Sequence, residues 1–134
     1  ALFSPTIPPL DRLKKYCEYG RRFQGEIKAK FGHVLGCPLF TLGSEVSTQE
    51  DKLQKKIQEM LDCKCKYLET TIRDAHASGL INAPNPAAKA KTLFAYYQGL
   101  QTQARIEDSL AVLDDAMRGT CDVLGVKEQE PVPA

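Results

Sequence analysis

The chain has 134 residues, 43% of them hydrophobic and 26% charged, and its eighteen basic and seventeen acidic side chains leave a net charge of +1. That length supports one domain, residues 1–134, with its own core and no need of disulfides or a structural metal. The near-neutral balance excludes a bulk electrostatic footprint for nucleic acid or an anionic membrane, and no apolar run reaches the ~20 residues of a membrane span.

Residues 1–9 carry Pro5, Pro8 and Pro9 and are expected to form an extended lead-in. They lack the basic-then-apolar pattern of a signal peptide. A start at Ala1 rather than Met leads us to expect a fragment, or a chain whose beginning lies outside this sequence. Leu10, Leu13, Cys17, Gly20, Phe23, Ile27 and Phe31 then recur at three and four residues, which predicts a helix of roughly six turns ended by Gly32. Its opposite face holds seven Lys/Arg and three Asp/Glu between Asp11 and Lys30. Those charges are mixed and no aromatic is placed to stack bases, so we read a solvated face rather than a phosphate-binding one.

Gly36-Cys37-Pro38-Leu39 marks the start of a short buried helix, with Cys37 as its cap and small residues where a neighbour can approach. Ser47-Thr48-Gln49-Glu50 then reads as a capping box that opens the longest helix. The apolar face of that helix is Leu53, Ile57, Met60, Leu61, Cys65, Leu68, Ile72 and Ala75. Asp51–Lys55, Asp62–Lys66 and Glu69–Arg73 are spaced as acid-first i, i+4 pairs, and Gly79 is the stop.

Asn85 and Pro86 cap and open a helix that runs to about Ile106, with Leu93, Phe94, Tyr97, Leu100 and Ala104 on one face. Tyr96, Gly99 and Gln103 on its other face do not make a normal solvated surface. A last helix is predicted from about Asp108 to just before Gly125, with Leu110, Leu113, Met117, Cys121 and Leu124 as a near-heptad stripe. The tail from Lys127 to Ala134 is expected to fray. No segment alternates with the period of a strand. The predicted fold class is all-α, an antiparallel bundle of five helices.

The last two helices carry more apolar surface than one stripe each, since Val112, Ala116 and Val123 lie beside the main row. A two-fold partner offering the same pair would bury the surplus in an isologous four-helix contact. The predicted dimer interface is therefore Tyr96, Gly99, Gln103, Leu110, Leu113, Met117 and Cys121. The plainer reading is that both faces serve a larger monomer core.

Five cysteines, an odd count, argue for free thiols in a reducing cytoplasm. Cys63 and Cys65 sit two apart on a helix, about 200° around it, so they cannot share a tetrahedral ion. Cys37 at a helix start could be a redox thiol, but a small buried capping residue explains it as well. His33 and His76 belong to no Glu-x-x-His or His-Glu-x-x-His pattern, and no phosphate loop or nucleophile elbow is present. We expect no metal, no cofactor and no catalytic residue. Tyr16, Phe23, Phe40, Met60, Tyr67, Phe94 and Tyr97 are the candidate ligand-binding residues, although side chains of these types on helical stripes are more often plain core. The tyrosines rank above the rest, because a buried phenol needs a partner and a ligand can supply it.

From about Leu10 to Val126 the chain resembles the effector-binding and dimerisation half of TetR/AcrR transcriptional regulators. Three phrases carry the resemblance. The Leu10-Asp11-Arg12-Leu13 helix start precedes Gly36-Cys37-Pro38-Leu39; Ala77-Ser78-Gly79-Leu80-Ile81 ends the long helix; Gln98-Gly99-Leu100-Gln101-Thr102-Gln103-Ala104-Arg105 follows. The family's helix-turn-helix domain is not present here, so no residue of this chain is expected to read bases. The resemblance implies a bacterial repressor's sensor domain, a homodimer that binds a small, partly apolar effector. Operator DNA would be contacted only through the missing N-terminal domain. Two other classes stay open: a helical-bundle metal, redox or catalytic protein, and a protein–protein adaptor.

Overall fold

A computed structural model describes residues 4–126. The described residues form five α-helices and no strand: α1 Pro9–Phe31, α2 Pro38–Val46, α3 Asp51–Ala77, α4 Pro86–Glu107 and α5 Ala116–Leu124, with a 3-10 segment at Leu110–Asp115. The tail expected to fray, 127–134, lies outside the described residues, as does the start of the lead-in. The all-α class is as the sequence predicts.

Each boundary has a local cause. Gly32 at the end of α1 adopts φ 82°, a left-handed conformation that favours glycine, and donates to Lys28 O. Past α3, Gly79 N–H bonds to His76 O and Leu80 N–H to Ala75 O, the paired closure of a Schellman motif. Asn85 Oδ1 accepts from Ala88 N–H and Pro86 opens α4, as predicted; such a cap contributes about 1 kcal/mol.

Three expectations about elements are corrected. The capping box is not formed: Glu50 is the cap residue of α3 and makes no side-chain capping bond, because Ser47 still has helical backbone as the cap that closes α2. The helix α2 is not a buried one. It has no buried residue, since it lies at the edge of the molecule against α3, where Gly43 comes so close that an added Cβ would sit 3.2 Å from Ile57 Cγ2. Cys37 is buried ahead of it but makes no side-chain cap.

The third correction concerns the last helix, which is two pieces rather than one. Asp108 sits at φ 50° and Ser109 is extended, so the chain turns and re-enters helix through the 3-10 segment. The Asp108 carboxylate accepts from Val34 N–H at 2.8 Å and contacts His33 Nδ1 at 2.9 Å, while Lys28 Nζ donates to Asp108 O at 2.7 Å. These bonds tie the ends of α1 and α4 together and fix the break.

The core is in two parts. Leu13, Leu68, Ile72, Ala75, Leu93, Phe94 and Tyr97 join α1, α3 and α4 in one. Val34, Leu100, Ala104, Leu113 and Ala116 form the other beneath the 3-10 segment. Arg12, read from sequence as part of the solvated face of α1, is buried; its Nε donates to Ile7 O at 2.7 Å and its Nη1 to Asp74 Oδ2 at 2.8 Å. Of the three predicted pairs on α3, Glu69–Arg73 closes at 2.8 Å, whereas Asp62 accepts from Gln58 instead.

Candidate functional site

Between the two core parts lies a cavity of about 400 Å³. Its walls come from α1, the turn into α2, α3, α4, the 3-10 segment and the start of α5. Tyr16, Phe23, Tyr67 and Tyr97 line it. Tyr16 and Tyr97 face each other, with ring centroids 5.2 Å apart. Phe40, Met60 and Phe94, also expected there, lie outside the lining. Phe94 is buried in the core with the Phe40 ring edge-on at 6.0 Å, and Met60 is 45% exposed.

The inner wall carries a relay of hydrogen bonds. Thr120 Oγ1 donates to Ala116 O at 2.7 Å. Its proton being committed, Tyr97 Oη donates to Thr120 Oγ1 at 2.6 Å, and Cys17 Sγ donates to Tyr97 Oη at 3.7 Å. Two turns along the same face of α1 from Cys17, the Gln24 amide grips one residue twice: Nε2 donates to Gly36 O at 3.0 Å and Oε1 accepts from Gly36 N–H at 3.1 Å.

The interior is electrically neutral near pH 7. Burial, then the neighbouring thiols of Cys17, Cys37 and Cys65, push the Tyr16 phenol up to about 12. Burial also raises Tyr97 well above a normal phenol. Cys17 is raised by burial, an effect only partly opposed by its hydrogen bonds to Tyr97 and Thr120. Charge is confined to the rim, where Arg21 pairs with Asp114 and Lys64 stands beside Tyr67 in the lining. Tyr19 and Phe23, stacked at 6.2 Å, are exposed at the same opening.

Sequence reasoning missed Cys17, Gln24, Gln98 and Gln101, all of which line the cavity. A signal was there. Gln24 follows Cys17 and Gly20 at helical spacing, and Gln98 follows Phe94 by four, so both amides stand in apolar rows.

The predicted dimer residues divide. Leu113 and Cys121 are 7% and 4% exposed within this one chain, where they pack in its interior. The heptad stripe that suggested them presupposed one continuous α-helix from about Asp108, whereas Leu110 and Leu113 stand on the 3-10 segment. Leu110 and Met117 are half-buried. Tyr96 is half-buried too, with Oη donating to Asp115 O at 3.0 Å and its ring against Gly119. Gly99 and Gln103 are exposed, and no neighbouring atom stands within 4 Å of where a Gly99 side chain would begin. Ile106 on the same helix, which the sequence did not single out, is 78% exposed.

Cys63 is exposed and Cys65 half-buried, as their angular separation requires. Among the described residues no group of three or more His, Cys, Asp or Glu is placed to hold a metal ion, and no helix is long and apolar enough to cross a membrane. A family model described as Tetracyclin repressor-like, C-terminal domain, matches residues 9–120. No curated protein and no solved structure matches the chain.

Proposed function

This chain belongs to the tetracyclin repressor-like C-terminal domain family, and from that premise we propose that it is the effector-sensing and dimerisation domain of a bacterial repressor working in the cytoplasm. Membership points to a regulatory rather than a catalytic domain. The effector is a small, partly apolar molecule held in the cavity between α1, α3 and α4. Operator DNA is contacted by a helix-turn-helix domain outside this sequence.

The observation that carries this reading is the relay behind the cavity. Tyr97 lines the space and is bonded to Thr120 on α5 at 2.6 Å. Its neighbour Tyr96 is bonded to the carbonyl of Asp115, where α5 begins. A guest that displaces Tyr97 therefore acts on α5, one of the two helices proposed to meet a second copy. Such a guest alters DNA binding only if it prefers one dimer geometry and the operator prefers the other.

Gly20 supplies the test. It lines the cavity, and an added Cβ there meets no neighbour within 4 Å, so Gly20→Phe fills space without a clash at the backbone. A thermal-shift screen of neutral apolar compounds is run on both proteins. Compounds that raise the melting temperature of the wild type but not of Gly20→Phe support a cavity sensor. A screen in which every hit stabilises both alike removes the basis for it.

A further inference from the structure

The α4 wall of the cavity holds a buried amide with an unmet acceptor. Gln98 is 3% exposed and lines the cavity, yet its Oε1 is sealed from solvent and has no hydrogen-bond partner. Buried polar atoms are almost always paired, and one left alone destabilises the state that contains it. This orphan belongs to a residue bordering a space that can admit a small molecule. The interior around it is uncharged, because burial keeps Tyr16, Cys17 and Tyr97 protonated. An ion placed there would be desolvated with no counter-charge, since Arg21 and Lys64 are exposed side chains of the lining.

We propose that the effector is a neutral, largely apolar molecule with one hydrogen-bond donor, a hydroxyl or an N–H, and that Gln98 Oε1 accepts from it. The proposal rests on the cavity being the effector site. The amide meets the donor by turning about its terminal χ3 bond, a broad, soft torsion. Binding then gives Gln98 Oε1 the partner it lacks in the unliganded chain. A pocket of this kind rejects an isostere lacking the donor, while it separates apolar bodies of similar size weakly.

Three probes with one body distinguish the cases: 4-propylphenol, 4-propylanisole and 4-propylbenzoate. They are titrated by calorimetry and followed by NMR on the 134-residue chain and on Gln98→Leu. The wild type is expected to bind the phenol about tenfold or more tighter than the anisole or the benzoate. In Gln98→Leu the preference for phenol over anisole collapses, and the unliganded variant melts no lower than the wild type, because no structural bond was lost. Gln98→Met replaces it if the leucine variant fails to fold. A phenol preference that survives the substitution overturns the proposal, as does a lowered melting temperature with unchanged selectivity. Equal binding of all three, with shifts at Tyr97 and Gln101, overturns the donor assignment and leaves the cavity as a ligand site. No binding of any probe overturns both.

Discussion

Gly119 shows how a single missing side chain sets the packing of two helices. Its Cα faces the Tyr96 ring so closely that an added Cβ would overlap the phenol oxygen and Cζ. Alanine favours helix over glycine by about 1 kcal/mol, but overpacking a fixed neighbour outweighs that, and Gly119→Ala is expected to lose about 1–3 kcal/mol net in urea unfolding. In a Tyr96→Ala background the same change should be neutral or stabilising; equal losses in both backgrounds would show that the ring is not the cause. Asp108 makes the matching electrostatic case. The Val34 N–H, followed by His33 and Lys28, holds its carboxyl below the usual carboxylate range. A lowered native pKa means stability that is complete above the ordinary carboxylate value and is lost as pH falls through the native one. Below about pH 4, the urea midpoint of the wild type should therefore drop more steeply than that of Asp108→Asn; parallel curves would remove the linkage. Neither residue was legible in the sequence. Glycine in a helix and aspartate at a helix end are common, and only the distant partners, Tyr96 and Val34, give them meaning.

At the scale of helices, sequence punctuation worked where the signal was local. Asn85-Pro86, Gly32 and Gly79 each mark an end that the structure places there. It failed where a long-range bond decided the outcome. The last helix, predicted as one piece from about Asp108 to just before Gly125, opens instead as a 3-10 segment at Leu110–Asp115, with Asp108 ahead of it held by Val34, His33 and Lys28 from α1 and the turn after it. The buried Arg12 has the same origin, since its partner Asp74 is 62 residues away. That pair joins the start of α1 to the end of α3, with Asp74 41% exposed. Asp74→Ala leaves the guanidinium with the Ile7 carbonyl in a buried place, and water reaches it only in part. The expected loss is about 1–2 kcal/mol. Arg12→Met, which removes the charge together with its need for a partner, should cost less. Equilibrium unfolding of the two variants checks the order, and the reverse order would mean that the methylene packing of Arg12 matters more than its charge.

For the whole molecule, periodicity found most of the inward residues, though Phe23, Phe31, Leu53 and Met60 of the predicted stripes are exposed, and it did not say which inward faces meet. Tyr16 and Tyr97 pack together on the cavity wall, whereas Phe40 and Phe94 pack together away from it, and spacing alone gives both pairs the same pattern. The same limit applies to assembly. With Leu113 and Cys121 inside the chain, the surface left for the proposed second copy is Gly99, Gln103 and Ile106 of α4 together with Met117 of α5. Sedimentation velocity should show a dimer for the wild type and a monomer for Ile106→Glu, whose charge would be desolvated in a two-fold contact. A wild type that stays monomeric at every concentration would leave α4 without its proposed neighbour. The grip of Gln24 on Gly36 has a wider consequence. Both ends of that amide are engaged on the backbone of Gly36, and Gly36 is held at φ 71° against the backbone of Gln101, so this wall of the cavity is tied down on two sides. In the proposed sensor, room for a bulkier guest would then come from the wall across the cavity, where Lys64 and Tyr67 of α3 are exposed.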